Sequence, residues 1–211
     1  MANNIPGNPW CSIWTEPRQT IRSIVNANPK FGYFFLTIVY GLPLAFNLVQ
    51  NFGLAATVPL WALIIGSLIL SPFLGMIGIS IGAFLLQLVG RLLGGKGSFL
   101  NVRAAVAWSN LPNIVGIVMT FILLGIFGAQ IFNKNFAEMQ FVGYQAGVLF
   151  LAFLLESIAT IWGFILLLCT LGEVQGFSIW KAILNVVILI VLLMALFWLV
   201  SWAFSGTGNI S

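Results

Sequence analysis

The chain has 211 residues, 61% of them hydrophobic and only 6% charged, with a formal net charge of +4. It contains no His and no Asp, and only four Glu (Glu16, Glu138, Glu156 and Glu173), which excludes a Ser-His-Asp triad, an intramembrane Ser-His pair and any histidine-based metal site. Cys11 and Cys169 are too few and too far apart in sequence to suggest a zinc or iron-sulfur site, so no cofactor is expected and enzymatic chemistry has almost nothing to work with.

Between Lys30 and Arg91 lie sixty consecutive residues without a charge. As helix, that run would reach roughly 90 Å, about three times the hydrocarbon thickness of a bilayer. The chain therefore crosses a membrane more than once within this stretch, and the fold class is all-α: a polytopic membrane helix bundle. Three parts are expected: an amino-terminal tail over residues 1–30, a membrane domain over 31–204 and a short carboxyl-terminal tail over 205–211.

The amino terminus, MANNIPGNPW, has no basic region followed by an apolar one, so insertion is expected to be directed by the first span. From Thr15 to Ala27 the pattern predicts an interfacial amphipathic helix. Thr15 can cap it, Glu16 and Pro17 suit its first turn, and Asn28-Pro29 ends it. Ile21, Ile24 and Val25 share one face, while Arg18, Arg22 and Asn26 share another, aimed at anionic headgroups. The alternative is a positional anchor for the first span.

Apolar stretches then run over 31–49, 58–93, 104–132, 141–171 and 179–204. The second, at 36 residues, is too long for one simple span and short for two. Pro72, beside Ser71, offers a break. Charge arbitrates: with five spans, one side receives Arg18, Arg22, Lys30, Arg91, Lys96, Arg103 and Lys181, and the other only Lys134. Seven basic residues against one predict a cytoplasmic amino terminus and an external carboxyl terminus. The second stretch is then one long element, kinked or partly re-entrant at Pro72. Within it Gly75, Gly78 and Gly82 recur at helical spacing; they serve either packing inside the bundle or association with a second copy.

The loop after this element, Gly90 to Ser98, carries Gly94, Gly95 and Gly97 around Lys96, with Ser98 placed to cap the next helix. It is not a phosphate loop, because the GxxxxGK[ST] spacing is absent. Further on, Trp108, Ser109, Asn110, Pro112 and Asn113 interrupt an apolar run. Backbone broken at membrane depth must be buried or line a wet cavity. Either this is a polar site, or Ser109 and Asn110 satisfy carbonyls freed by Pro112.

Glu156 lies near the centre of the fourth stretch, where a carboxyl costs at least ~2.5 kcal/mol. No basic residue is expected at its depth. Its candidate neighbours are Ser109, Asn110, Asn113, Thr160 and Asn185. It serves either as a proton or cation site or as a neutral interhelical hydrogen-bond donor. At the last turn, Gly172 or Gly176 can end the fourth span and Ser178 can cap the fifth, with Trp180 and Lys181 at the interface.

Three blocks, IWTEPRQTIR, GRLLGGKGSFLNVRAAVAWSNLP and GEVQGFSIWKA, resemble the Yip1 family in its bacterial form, in the family's order and across nearly the whole chain. The resemblance implies five spans, a cytoplasmic amino-terminal region and a bacterial inner-membrane location. Eukaryotic relatives associate with Rab GTPases and with one another in the early secretory pathway. This chain lacks their long cytoplasmic amino-terminal region and the DLYGP-like motif, and has Trp-Ser-x-x-Pro at Trp108 to Pro112 where they have a Gly-Tyr-x-x-x-Pro-like stretch. Rab binding is therefore not carried over. What the resemblance implies is an integral membrane protein of non-enzymatic, interaction or membrane-organising type. The residues themselves point to anionic lipids, an unidentified protein partner or a second copy through Gly75, Gly78 and Gly82, and to no nucleic acid. The contacts expected for this are Arg18, Arg22, Arg91, Lys96, Arg103, Trp108 and Lys181. The rival reading is a small transporter, channel or lipid scramblase using Glu156 with Ser109, Asn110 and Asn113.

Overall fold

In hydrocarbon, a backbone can satisfy its own N–H and C=O groups only as helix or closed barrel, so long charge-free runs fold as helices. The computed structural model describes residues 7–206, and those residues form eight α-helices with no strand among them. These are α1 (Pro9–Ser12), α2 (Pro17–Ala27), α3 (Tyr33–Asn51), α4 (Leu60–Leu92), α5 (Phe99–Ser109), α6 (Asn113–Phe127), α7 (Tyr144–Gln175) and α8 (Ile179–Gly206). Three short 3₁₀ turns fill the loops at Leu54–Ala56, Gly128–Phe132 and Phe136–Glu138. Five segments are long and apolar enough to span: Tyr33–Asn51, Leu60–Leu92, Asn113–Phe132, Tyr144–Gln175 and Ile179–Trp202. Of the expected tails, residues 1–6 and 207–211 lie outside the described residues, while 205 and 206 end α8.

The second stretch is one long element, as expected, while two other expectations about elements are corrected. Of the two alternatives at Pro72 the re-entrant one falls away, since the second span is one continuous helix of 33 residues. Proline removes the N–H that would bond the carbonyl four residues earlier, and the Ser71 hydroxyl donates to that carbonyl, Leu68 O, at 2.8 Å. The third apolar stretch is not one span but two helices separated at Asn110–Pro112. Its first part, α5, is almost wholly buried in protein. Finally, α2 begins at Pro17 with Glu16 before it, so Thr15 is not its cap, and Ile21 and Ile24 are fully buried against neighbouring helices instead of facing lipid.

Because α4 and α7 are each about 50 Å long by their residue counts, they overshoot a ~30 Å hydrocarbon core. Their overshoot at the end bearing Arg91 and Gln175 is packed by α1, α2 and α5. There lies the main core, including Ile13, Ile21, Ile24, Leu86, Val102, Trp108 and Leu171. A smaller cluster of Leu42, Phe46, Val49, Leu63 and Phe132 sits at the other end. Residues 190–202 of α8 are exposed all round, as suits a helix bathed in acyl chains.

The tightest helix pair is α3 with α4. A methyl at Gly75 would run into the Thr37 carbonyl, and one at Gly41 into the Ser71 carbonyl. A methyl at Gly78 would meet the Tyr40 ring, while Gly82 faces open space. Of the two readings for these glycines, Gly75 and Gly78 thus take the first, packing within the chain.

Candidate functional site

The three sequence blocks meet at the end of the molecule that carries seven of the eight basic residues. Gly176, at φ +72°, ends α7 in the left-handed conformation that glycine adopts without strain, and the chain turns into α8. This turn abuts the loop after α4. Gln175, 1% exposed, accepts at its Oε1 from Gly97 N–H (3.1 Å), and its main-chain carbonyl accepts from Lys96 N–H (3.1 Å). Gln87 Nε2 donates to Gly97 O at 3.0 Å, and Asn185 Nδ2 to Leu86 O at 3.1 Å. Gly90 and Gly95 leave room for these amides: a methyl at either would collide with the Gln175 side chain. The glycine-rich loop is therefore clamped, not slack.

Around this clamp the basic side chains differ in freedom. Arg91, Lys96 and Lys181 are exposed, beside Trp180 and Leu92, which are 79% and 77% exposed. Arg22 reaches Glu173 Oε1 at 2.6 Å, joining the first block to the third, and that carboxylate holds the guanidinium above its ordinary pKa. Arg18 lies over Gly172, and Arg103 is half-buried with its guanidinium 4.4 Å from the Tyr33 ring centre. Trp108 is not a surface contact: it is fully buried, 4.6 Å from Trp10 between ring centres and stacked on Phe31 at 6.1 Å. Its burial follows from α1, which folds back over α5.

The second region is a groove between α3, α6 and α7, enclosing a cavity of about 410 Å³. Glu156 lies on its α7 wall, twelve residues beyond Tyr144 and so about 18 Å along the helix, near mid-membrane. Gly116 of α6 faces it, and a methyl there would stand 3.8 Å from Glu156 Cγ, in ordinary contact, so glycine is not required for the two helices to approach here. Asn113 joins Glu156 in this groove as expected. Ser109 and Asn110 do not line it. At the break between α5 and α6, the Asn110 main-chain N–H has moved to Ala107 O, and Val106 O accepts instead from Ser109 Oγ (2.8 Å) and Asn110 Nδ2 (2.7 Å). Those two residues repair the backbone. Asn185, also considered a neighbour of Glu156, belongs to the clamp.

Four polar groove residues escaped the sequence reading or were noted only in passing: Asn47 and Gln50 of α3, Thr120 of α6, and Thr160. The available signal was Asn47 and Gln50 at i, i+3 in an apolar span. Every amide here is engaged through its nitrogen: Asn47 Nδ2 to Pro43 O (2.9 Å), Gln50 Nε2 to Asn133 O (3.1 Å) and Asn113 Nδ2 to Asn110 Oδ1 (3.3 Å). Thr120 and Thr160 donate their hydroxyls to Gly116 O and Glu156 O. What remains directed to the cavity is rich in acceptors: amide oxygens, hydroxyl lone pairs and a carboxyl group that has no hydrogen bond or ion pair among the described residues. Phe46, Phe132 and Phe136 complete the walls.

The chain matches the family model described as the Yip1 domain over residues 11–200. None of the curated proteins and none of the solved structures matches it.

Proposed function

Because the chain belongs to the Yip1 family and is an integral, polytopic membrane protein, we propose that it works without enzymatic chemistry, by holding anionic lipid headgroups at its basic end. The observation that carries this reading is the Gln175 clamp. It fixes the loop of Arg91 and Lys96 against the turn that leads to Lys181, so three exposed cations share one rim with the Trp180 ring. Aromatic and basic side chains at one level are the anchors of a membrane–water interface. With seven basic residues at this end, the rim faces the cytoplasm of a bacterial inner membrane, with the carboxyl terminus outside. A protein partner with an acidic surface would use the same rim.

Each cation near an anionic leaflet contributes about 1 kcal/mol. The triple variant Arg91→Ala, Lys96→Ala, Lys181→Ala therefore retains phosphatidylglycerol at least tenfold less well in native mass spectrometry. Unchanged retention by a variant that folds normally rejects the reading. The second reading, transport or lipid movement through Glu156, is favoured by a separate observation, the groove itself.

A further inference from the structure

We propose that the Glu156 groove binds the ammonium group of an aminophospholipid, entering sideways from the bilayer. The inference rests on the membrane embedding of the chain and is independent of the basic rim.

Three features point to this ligand. Glu156 and Thr160 of α7 and Asn47 of α3 are all exposed in the chain, although each stands inside a helix long and apolar enough to span a membrane. A polar opening there is not stable against acyl chains, so something polar covers it. The chemistry of the lining then selects what. Its hydroxyl hydrogens and one N–H of each amide are occupied, which leaves acceptors in excess: three amide oxygens, two hydroxyl oxygens and one carboxyl group against three remaining amide N–H bonds. The complement is a cation that donates several hydrogen bonds, and a primary ammonium offers three. Phe46, Phe132 and Phe136 add aromatic faces suited to an organic cation. Beside the opening, Leu44, Leu48 and Phe153 are exposed on α3 and α7, giving acyl chains an apolar surface continuous with the bilayer. A headgroup in the groove with its tails outside satisfies both surfaces.

The test uses the full chain in detergent micelles, with dioleoylphosphatidylethanolamine, dioleoylphosphatidylcholine, dodecylammonium and sodium as probes and native mass spectrometry as readout. The expected result is at least tenfold better retention of the ethanolamine lipid than of the choline lipid, whose nitrogen has no N–H. Glu156→Gln, nearly isosteric, removes that preference without moving the melting temperature by more than a degree or two. Asn47→Leu, on the exposed rim, lowers retention several-fold and guards against a Glu156 variant that fails to fold. The Arg91, Lys96, Lys181 triple variant keeps the ratio of ethanolamine-lipid to choline-lipid retention, since both lipids carry the same phosphate, which separates this site from the basic rim. Displacement of the lipid by dodecylammonium supports recognition of the ammonium itself. Tight binding of dodecylammonium with no preference between the two lipids overturns the lipid source. Stabilisation by sodium alone overturns the ligand class, and efficient disulfide cross-linking of two Asn47→Cys chains shows instead that a second copy covers the groove. Equal retention by wild type and Glu156→Gln also sinks the proposal.

Discussion

Replacing Gln175 by Leu tests whether the clamp at the basic end is an essential joint or an incidental contact. The side chain is buried and of similar volume to Leu, so little cavity is made. What is lost is the acceptor for Gly97 N–H. Gly97 is itself buried, so that N–H is left unpaired, at a cost of about 1–3 kcal/mol. A partial offset comes from Gln175 Nε2, a buried donor with no partner, which also disappears. The net expectation is about 1–2 kcal/mol, or roughly 2–8 °C in melting temperature for a chain of this size. Gln87→Leu strands the Gly97 carbonyl on the other side of the same residue and costs a similar amount. Because both side chains hold Gly97, the double variant loses less than the sum of the two. Thermal unfolding of the four proteins in one detergent, followed by circular dichroism, closes the cycle. Strict additivity, or a Gln175→Leu variant as stable as wild type, would refute the clamp.

Gly75→Ala forces a methyl into the Thr37 carbonyl and must part α3 from α4, so a loss of about 3 kcal/mol, at the upper end for overpacking, is expected in the same unfolding assay. Gly82→Ala, facing open space on the same helix, is expected to be silent. Trp108→Ala empties a buried indole site and is expected to cost 3–5 kcal/mol, whereas Trp108→Phe is much milder because the indole N–H has no partner to lose. A cysteine at Lys96 is expected to resist an impermeant thiol reagent added outside intact cells, and labelling there would reverse the orientation argued from charge.

The architecture was readable because its cause is one-dimensional. Sixty charge-free residues and a seven-to-one bias of basic residues set the spans before any packing is known. The elements that differed did so for local reasons. At Pro72 a re-entrant turn stayed open as an alternative because the rescue by Ser71 depends on one rotamer, and hydropathy does not resolve rotamers. The start of the third stretch looked like a span because Ala104 to Ala107 is apolar; it is buried in protein, where apolar residues are equally at home. Trp108 looked like an interface aromatic until α1, only four residues long, was seen to cover it. In the groove, Glu156 and Asn113 could be paired from sequence because each stands out in its run. Asn47 and Gln50 could not be added, because only the packing of α3 beside α6 brings them to the same cavity.

The two regions also differ in what they contribute to the fold. The large core cluster surrounds the basic end and ties α2, α3, α4, α5, α7 and α8 together, whereas the groove end has only a small cluster of five buried residues. A carboxyl group inside a span, with no partner among the described residues, is a cost of a few kcal/mol. Placed within the main core it would oppose the packing that defines the fold. Placed in the groove, about 26 Å along α7 from Glu173, it opposes almost nothing, because α7 is already anchored at its other end by Gln175 and Leu171. Residues that break the rules of stability cluster where a structure can tolerate them and where a ligand can make up the difference. By that reasoning Glu156→Leu is expected to raise stability in the absence of lipid, while Gln175→Leu lowers it. A stabilised Glu156→Leu protein that has lost its preference for aminophospholipid would place the cost of Glu156 on the side of function.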